Sequence, residues 1–549
     1  MPHYGLPLQL PNRSLSAVLI SEPTLGIDST QPSVDAPLGS TPSAENFVLK
    51  EGCLEPRPML ALRGTNPQPL GPQPIIGGWE FADVSNNRYP VISTSTQVAW
   101  YSTGSWSQLS YVSAYGINSP PAGSNTSFWD ATQIYYDRGD QNLAVLANGS
   151  YQSLYCWQSP STVFSTLTGA PPAKWVCGFD NYLVAFNIRD PGSAASDYVQ
   201  RVQWSDRGSA SSWTGGLSGF EDLLAMRGQG TRIMAQENRL ILFSDAEIWH
   251  GLTSDFPFVF RFQPLDRSVG CPYSMTAAQT PRGIIFLARN LQTYLLPKEG
   301  GPAVPIGQRI HRDIRETIDA PERSWGVYDP GTDQYQLYYC IQGGSGRPQR
   351  ALYLNMTEGS WAPQSFDKVS RALSLTFGFS VTGIAATSSA TSWGGLAAAG
   401  VRWADLNMSW AELGGLTATQ DARLVYIGSS AGTMYELSST ATSDNGTPVE
   451  SRWRSSALAG RDPGRQHTVT EWRMDYQADS ASSVTIRFSQ TAGAAFEAGR
   501  QLNLPAASGI SQVIDYPYLP ARYPMFEITS EGHRYRAFRF YTTMRRGGR

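Results

Sequence analysis

TRIMAQENRLILFSDAEIWHG, residues 231 to 251, contains two apolar runs joined by a turn and has a tryptophan, Trp249, close to its end. Glu237-Asn238 lies between the runs, at a point where a hairpin needs residues that tolerate a positive φ or that set the bend. The second run is rich in Ile, Leu, Phe and Trp, which favour pleated, half-buried strands. The stretch therefore predicts a β-hairpin followed by a further strand.

The same unit recurs along the chain on both sides of this stretch. Asn148-Gly149, Asp180-Asn181 and Pro330-Gly331 mark further hairpin turns within it. Units of this kind cover residues 89–109, 133–157, 174–213, 231–251, 274–296, 325–361 and 422–437. A period of roughly 40 to 50 residues made of short strands is typical of propeller blades. We therefore predict a β-propeller-like domain of about six to eight blades over residues 77–447.

The segments before and after this domain have a different pattern. Residues 1–76 are predicted to form an N-terminal arm with edge strands, because residues 13–45 are rich in Pro, Ser and Thr, and Pro56 and Pro58 restrict strand pairing. Residues 13–45 are also a candidate segment for docking to a partner, and we expect them to become ordered only on assembly. Residues 448–549 alternate apolar and polar side chains, which predicts a C-terminal β-sandwich-like domain. One helix is expected as a connector over residues 311–325.

The composition agrees with an all-β protein of more than one core. The chain has 549 residues, and its 26 Tyr, 21 Phe and 16 Trp are accompanied by 52 Gly and 37 Pro. Aromatic residues favour strands, whereas Gly and Pro occur in turns. A chain of this length exceeds what one hydrophobic core normally supports. With 41% hydrophobic and only 16% charged residues, the chain has enough apolar surface to fold.

The charges are distributed unevenly between the two predicted domains. Residues 450–549 contain 14 Arg, no Lys and 9 acidic residues, which gives them a net charge of +5. Because the whole chain has a net charge of −3, residues 1–449 carry −8. Arg favours contacts of fixed geometry, so we expect this domain to contact a neighbouring subunit or an adaptor. Nucleic acid and plain solvated strand faces remain alternatives. The candidate partner contacts are Arg452, Arg454, Arg534, Arg536, Arg539, Arg545 and Arg546.

Sites for metals, cofactors and membranes are not indicated. The five Cys are widely spaced without a Cys-x-x-Cys pair, and the five His lack the spacing of metal ligands. No phosphate-binding loop or dinucleotide fingerprint is found, so no cofactor is expected. No stretch approaches the ~20 apolar residues of a membrane span, and residues 1–10 lack a signal-peptide pattern, which favours folding in the cytosol.

Catalysis by paired carboxylates is the main alternative, since glycosidases need two acids that flank a sugar bond. Asp137 with Asp140, and Asp329 with Asp333, are close in sequence but lie in predicted turns, where Asp commonly binds backbone. Ser205–Trp213 approaches the Asp-box turn of sialidase-like propellers, with its spacing shifted by one. We therefore predict no enzyme activity. A propeller glycoside hydrolase or glycan-binding protein is the alternative.

Residues 202–296 resemble the tail nozzle, or packaged-DNA stabilisation, proteins of short-tailed bacteriophages. The similarity lies in the order of VQWSDRGSASSW, NRLILF, IW, VGC and GIIFL along the chain. Upstream, AENFVLKEGCLEPRPMLALRG resembles the family's early Asn-Phe and Arg-Pro element. WGVYDPGTDQYQLYYC, residues 325–340, resembles a later hairpin. The resemblance covers residues 40 to 345.

The resemblance implies a structural virion protein of the phage tail, assembled in the host cytoplasm. Its partners would be further copies in a ring of six, the portal and adaptor proteins, and tail fibres, spikes or a needle. The ring would continue and gate the DNA channel, with double-stranded DNA passing through without sequence-specific binding. The net charge of −8 outside the C-terminal domain is compatible with a channel wall that repels the DNA backbone.

Overall fold

The computed structural model describes residues 15–84, 87–102, 104–113, 119–136, 141–189, 197–254, 258–366, 374–382, 423–458, 466–493 and 495–546. Strands dominate, and the described helices are short. They are α1 (His311–Thr317) and two 3-10 turns at Ser274–Thr276 and Pro321–Arg323. The helix expected over residues 311–325 ends at Thr317 because Ile318 and Asp319 pair with a neighbouring strand.

Seven short strands precede the first repeat unit. They are β1 (Leu15–Ile20), β2 (Gly26–Ile27), β3 (Ser40–Thr41), β4 (Ala44–Glu45), β5 (Phe47–Lys50), β6 (Cys53–Pro56) and β7 (Met59–Leu62). The small β2–β3 ladder stands alone, whereas the other strands all join larger sheets.

Seven blades of antiparallel strands follow, and the predicted repeat units fall one on each blade. The last strands of blades 1 and 2 also pair with each other in parallel, so these two blades form one eight-stranded sheet. Blades 1 to 3 contain β8 (Gly77–Ala82), β9 (Arg88–Ser93), β10 (Val98–Ser102), β11 (Ser105–Val112), β12 (Asp130–Tyr136), β13 (Gln141–Ala147), β14 (Tyr155–Trp157), β15 (Val163–Thr166), β16 (Ala173–Phe179), β17 (Tyr182–Arg189), β18 (Asp197–Trp204) and β19 (Gly219–Asp222). Blades 4 and 5 contain β20 (Gly230–Gln236), β21 (Arg239–Ser244), β22 (Ile248–Thr253), β23 (Phe260–Asp266), β24 (Ala278–Thr280), β25 (Gly283–Leu287), β26 (Thr293–Pro297) and β27 (Val304–Pro305). Blades 6 and 7 contain β28 (Ile318–Asp319), β29 (Trp325–Asp329), β30 (Gln334–Ile341), β31 (Arg350–Asn355), β32 (Trp361–Ser365), β33 (Leu375–Thr382), β34 (Arg423–Ser429) and β35 (Met434–Ser438).

An N-terminal strand closes the ring of blades. Blade 7 takes its outermost strand from β7, which pairs antiparallel with β35 through Leu62 opposite Tyr435 and Met59 opposite Ser438. The inner strand of blade 7, β33, packs against the inner strand of blade 1, β8. Closing a ring in this way removes the sheet edges that an open array would expose.

The hairpins form where turn residues were predicted. Phe179 pairs with Tyr182 across Asp180 and Asn181, which both have positive φ, of 45° and 64°. Two central residues with positive φ make the turn whose twist matches that of antiparallel strands. Side chains from neighbouring blades then form hydrophobic clusters between the sheets.

The C-terminal domain is a β-sandwich. After the small β36 (Ser443–Asp444) and β37 (Thr447–Pro448), it contains β38 (Glu450–Arg454), β39 (His467–Ala478), β40 (Ser482–Ser489), β41 (Arg500–Leu504), β42 (Ala507–Asp515), β43 (Leu519–Ala521), β44 (Met525–Glu531) and β45 (Arg536–Arg546). The first sheet has the order β42-β39-β45-β6-β5, with β1 on β45 and β43 on β39. The second has the order β4-β38-β44-β40-β41. Trp453, Trp472 and Phe540 pack between the sheets.

The N-terminal segment is extended and is shared between the two domains. The sequence predicted an arm with edge strands over residues 1–76, and in the structure β1, β4, β5 and β6 belong to the sandwich whereas β7 belongs to blade 7. Phe47, Leu49 and Leu54 are buried in the sandwich core. The short apolar runs of this segment are stable because they complete sheets formed by residues far along the chain.

Candidate functional site

Side chains from several blades meet at the propeller axis. Arg232, on the inner strand of blade 4, reaches the carboxylate of Asp130, on the inner strand of blade 2, at 3.4 Å. The side chain of Asp130 is buried and also accepts a hydrogen bond from the Val176 amide of blade 3 at 3.1 Å. The ion pair therefore ties three inner strands together at the centre of the ring.

Aromatic side chains connect blades 6 and 7 to the segment before blade 2. Phe128, which precedes blade 2, contacts Phe377 of blade 7, with ring centroids 5.8 Å apart. Phe377 also contacts Trp325 of blade 6, which is fully buried and stacks on Tyr338 at 3.8 Å. A Cβ atom at Gly378 would lie 2.5 Å from the Trp325 ring, so glycine is needed there for the approach of the two strands. Blades 6 and 7 are thus packed closely against each other at this level.

The axial ion pair gives a pH-dependent prediction. Burial raises the pKa of Asp130, and the charge of Arg232 partly offsets this effect. Arg232→Met removes the offset, so the pKa of Asp130 rises further and stability is lost as pH rises through that pKa. We expect Arg232→Met to lower the free energy of unfolding by about 2 kcal/mol at pH 7, less than for a fully buried pair because the arginine is partly exposed. The loss at pH 4 should be smaller, because protonation of Asp130 removes the unpaired charge. Urea unfolding at both pH values measures the difference.

A matched variant isolates the charge in this experiment. In an Asp130→Asn background this site has no carboxylate to titrate, so adding Arg232→Met to that background should cost the same stability at both pH values. Equal losses for the single variant at pH 4 and pH 7 would contradict a role of the Asp130 charge.

The carboxylates considered for glycoside hydrolysis have structural partners. Asp329 accepts hydrogen bonds from the Gly331 amide at 2.9 Å and the Thr332 hydroxyl at 2.7 Å. Asp333 accepts from the Tyr328 hydroxyl at 2.8 Å. Both carboxylates accept hydrogen bonds from their own hairpin, which is the usual role of Asp in a turn. Asp137 and Asp140 lie outside the described residues.

The segment that approaches an Asp box forms a compact turn between β18 and β19. The Asp206 amide donates to the Ser212 carbonyl at 2.7 Å, and the Asp206 carboxylate accepts from the Leu217 amide at 2.9 Å. The buried Trp213 donates its indole N–H to the Ala210 carbonyl at 2.7 Å. These contacts stabilise the loop and account for its Asp, Ser and Trp.

A buried polar cluster joins the propeller to the sandwich, and we call it the junction cluster (Asn46, Arg57 and Asp444). The Arg57 guanidinium is fully buried and binds both carboxylate oxygens of Asp444, one of them at 3.0 Å. Its Nε donates to the Asn46 side-chain oxygen at 3.1 Å, and its Nη2 donates to the Ser365 carbonyl of blade 6 at 3.2 Å. The Asn46 amide group donates to the Glu450 carbonyl of the sandwich at 2.8 Å.

Sequence reasoning did not assign this role to the junction cluster. Asn46 and Arg57 stand in the Asn-Phe and Arg-Pro element quoted for the family resemblance, so the signal was in the sequence. Asp444 lies 387 positions after Arg57 in a Ser-Thr-rich segment and gave no signal. Arg232 was detectable as a charged residue inside the apolar strand TRIMAQ, whereas its partner Asp130 was not.

Four of the arginines predicted to contact partners bind groups of their own chain. Arg452 pairs with Glu45 at 2.8 Å, and Arg454 pairs with Glu527 at 2.5 Å. Arg534 donates to the carbonyls of Pro56, Ser438 and Ala441. Arg536 lies 3.8 Å from Glu55. Together with Glu55, Arg534 and Arg536 line a cleft of about 520 Å³ between the propeller and the sandwich.

Arg539 and Arg545 are exposed on the outer face of the first sandwich sheet, which we call the outer face. For Arg546 the structure describes only the backbone, which pairs with His467. Alternate residues of four strands share the outer face, and the ladders align them in rows. The rows are Leu19–Tyr541–Arg473–Ile514, Ala17–Thr543–Glu471 and Arg539–Asp475–Gln512. The outer face therefore combines exposed apolar side chains with charges of both signs.

Two negative findings concern the described ranges of the chain. No group of three or more His, Cys, Asp or Glu side chains in those ranges is placed to hold a metal ion. No helix there is long and apolar enough to cross a membrane.

Comparison with known proteins finds similarity at the level of fold. No protein family and no curated protein matches the sequence. Among solved structures, the Pan2 WD40 domain of Neurospora crassa is 6% identical, with a TM-score of 0.35 over 69% of this chain and 95% of that one. YCF48 bound to D1 peptide is 8% identical, with a TM-score of 0.36 over 69% and 100%. BamB from Moraxella catarrhalis is 10% identical, with a TM-score of 0.33 over 67% and 83%.

The prediction of the fold class is confirmed. The chain is an all-β protein with a β-propeller core, and the strand order gives this core seven blades. An extended N-terminal segment and a C-terminal sandwich complete the fold.

Proposed function

We propose that this chain is a structural subunit of a phage tail, the nozzle protein that forms a ring below the portal and adaptor and continues the DNA channel. The observation that carries the proposal is the outer face, where Arg539, Arg545, Leu15, Leu19 and Ile510 are exposed together. Exposed apolar side chains rimmed by charges are typical of surfaces that bind other proteins.

The contacts between inner strands support the same function. Because side chains link blade 2 to blade 4 and link blades 6 and 7 to Phe128, each propeller would serve as a rigid piece of wall. DNA would pass between copies arranged around a common axis, along the surface of the propeller domain with its net negative charge. A wall of that sign lets the phosphate backbone slide.

The junction cluster supports a mechanical role. A buried and fully hydrogen-bonded Arg-Asp pair fixes the orientation of the sandwich relative to blade 6. A subunit of a tail must keep such an orientation while DNA is held and released. The order of motifs in residues 202–296, which fall on blades 3 to 5, is the further reason to name a nozzle.

Electron microscopy and native mass spectrometry of the purified chain test this function. We expect closed rings of about six copies that bind a portal–adaptor complex and enclose a central channel. Monomers that form no ring, even with portal and adaptor present, would contradict the proposal. A panel of chromogenic glycosides and a glycan array test the alternative, and turnover or specific binding there would favour it.

A further inference from the structure

The first sandwich sheet has two edge strands on opposite sides that carry similar apolar side chains. Among the described residues, β1 is hydrogen-bonded to β45 alone, and β42 is hydrogen-bonded to β39 alone. Each strand thus presents a row of backbone N–H and C=O groups along its outer side. Open edges of this kind readily pair with a strand of another chain, and proteins usually protect them with charge or proline.

These two edges lack such protection. The sequences of β1, LSAVLI, and β42, ASGISQVID, contain no Lys, Arg or Pro and one acidic residue, Asp515, at the end of β42. Leu15 and Leu19 are 38% and 48% exposed, and Ile510 and Ile514 are 68% and 39% exposed. The ladders place Leu15, Leu19 and Ile514 in register with outward residues of β45 and β39, so these side chains lie on the outer face. Ile510 lies two residues before the outward Gln512 and is the most exposed of the four.

From this arrangement we infer that β1 of one copy pairs antiparallel with β42 of the next copy, so that the first sandwich sheet runs on from subunit to subunit. The inference rests on the proposed ring and names the surface that builds it. Strands β1 and β42 run in opposite directions within the sheet. Copies turned about an axis roughly parallel to the strands therefore bring the two edges together antiparallel.

The spacing of the apolar side chains sets the register of this pairing. Leu15 and Leu19 are four residues apart, as are Ile510 and Ile514. Placing Ala17 opposite Gln512 puts Leu15 against Ile514 and Leu19 against Ile510, on the same face. Apolar side chains directly opposite each other across an antiparallel pair stabilise it. A shift by one residue would place one set on the wrong face.

The charges next to the two edges are complementary. Beside β1, strand β45 presents Arg545, the partner of Leu15, on the outer face. Beside β42, strand β39 presents Arg473 and Asp475 within the ladder and Glu471 just beyond it. Pairing of β1 with β42 of the next copy brings the basic side chain of β45 near the more acidic side chains of β39 in that copy. Pairing of β42 with β42 would instead bring the acidic side chains of two β39 strands together.

A contact between two different edges is head-to-tail. Such a contact produces a closed ring when the rotation between neighbours divides a full turn, whereas a contact of like edges stops at a dimer. The ring proposed for a nozzle therefore follows from the pairing of β1 with β42 and does not follow from either edge alone.

Cysteine substitution tests the pairing and its register. Ala17→Cys and Gln512→Cys would stand opposite each other in neighbouring copies, within the distance at which a disulfide forms. We expect a mixture of the two single variants to give a disulfide-linked dimer on mild oxidation, and the double variant to give linked multimers up to the closed ring. Wild type is the control, since four of its five cysteines are buried.

The outcomes separate this inference from the proposed function. Rings without disulfides in the double variant would overturn the pairing and leave the proposed function standing. Disulfides in Gln512→Cys alone would show a contact of like edges and would also overturn it. Absence of rings from the wild-type chain, even with portal and adaptor present, would count against the proposed function itself.

A charge placed on the edge provides a second measurement. Ile510→Lys protects β42 by putting an ammonium group against Leu19 of the next copy, and we expect it to lower the fraction of chains in rings at least tenfold. Val304→Lys, at an exposed position of the outermost strand of blade 5, is the matched control and should leave the rings intact. An equal effect of both substitutions would contradict the assignment.

Discussion

Replacement of Arg57 by methionine is expected to lower the free energy of unfolding by about 3–5 kcal/mol, because it leaves the buried Asp444 carboxylate without its partner. Arg57 and Asp444 are both fully buried. The loss also removes the hydrogen bonds to Asn46 and to the Ser365 carbonyl, and the contact of the guanidinium with the Phe366 ring at 4.2 Å. Urea unfolding followed by tryptophan fluorescence measures the change.

Two further variants separate the buried charge from the side chain that carries it. Arg57→Met with Asp444→Leu removes both charges and should recover part of the stability, since no carboxylate remains unpaired. Arg312→Met breaks an exposed pair with Glu316 and should have little effect on stability, because solvent screens that pair. If Arg57→Met and Arg312→Met had equal effects, the junction cluster would not hold the domains together.

Removal of residues 1–64 is expected to abolish folding of both domains. The truncated chain lacks β7, so blade 7 loses its outermost strand and the ring stays open. It also lacks β1, β4, β5 and β6, and with them Phe47, Leu49 and Leu54 of the sandwich core. Limited proteolysis should cut the truncated chain throughout, and its unfolding should lose cooperativity.

A shorter truncation is the control for this experiment. A chain that begins at Leu15 keeps all described strands and should be as resistant to proteolysis as the full chain. A compact, protease-resistant propeller in the chain that lacks residues 1–64 would contradict the role of β7 in ring closure.

The sequence predicts the parts of the fold that local patterns determine. Hairpins such as the one at Asp180 and Asn181 depend on two turn residues and the strands beside them, so residues close in sequence carry the whole signal. The repeat of these hairpins gave the propeller, and the alternation after residue 448 gave the sandwich.

The sequence could not show contacts made between distant segments. Leu15 pairs with Arg545, and Arg57 binds Asp444, yet neither residue of these pairs carries a local mark of its partner. For the same reason, the candidate arginines could not be divided in advance into those with partners in their own chain, such as Arg454 with Glu527, and the exposed Arg539 and Arg545. Local periodicity fixes which face a side chain occupies, whereas sheet order decides what lies opposite it.

The sharing of N-terminal strands has a consequence for biosynthesis. β5 and β6 leave the ribosome early, but the sandwich strands that cover them lie after residue 450. At about 5–20 residues per second, the ribosome needs roughly 20 to 80 seconds to make the intervening chain. During that time Phe47, Leu49 and Leu54 have no sandwich core to enter. The newly made chain must therefore keep apolar strands soluble until translation ends, and its yield in a cell depends on the chaperones that bind them.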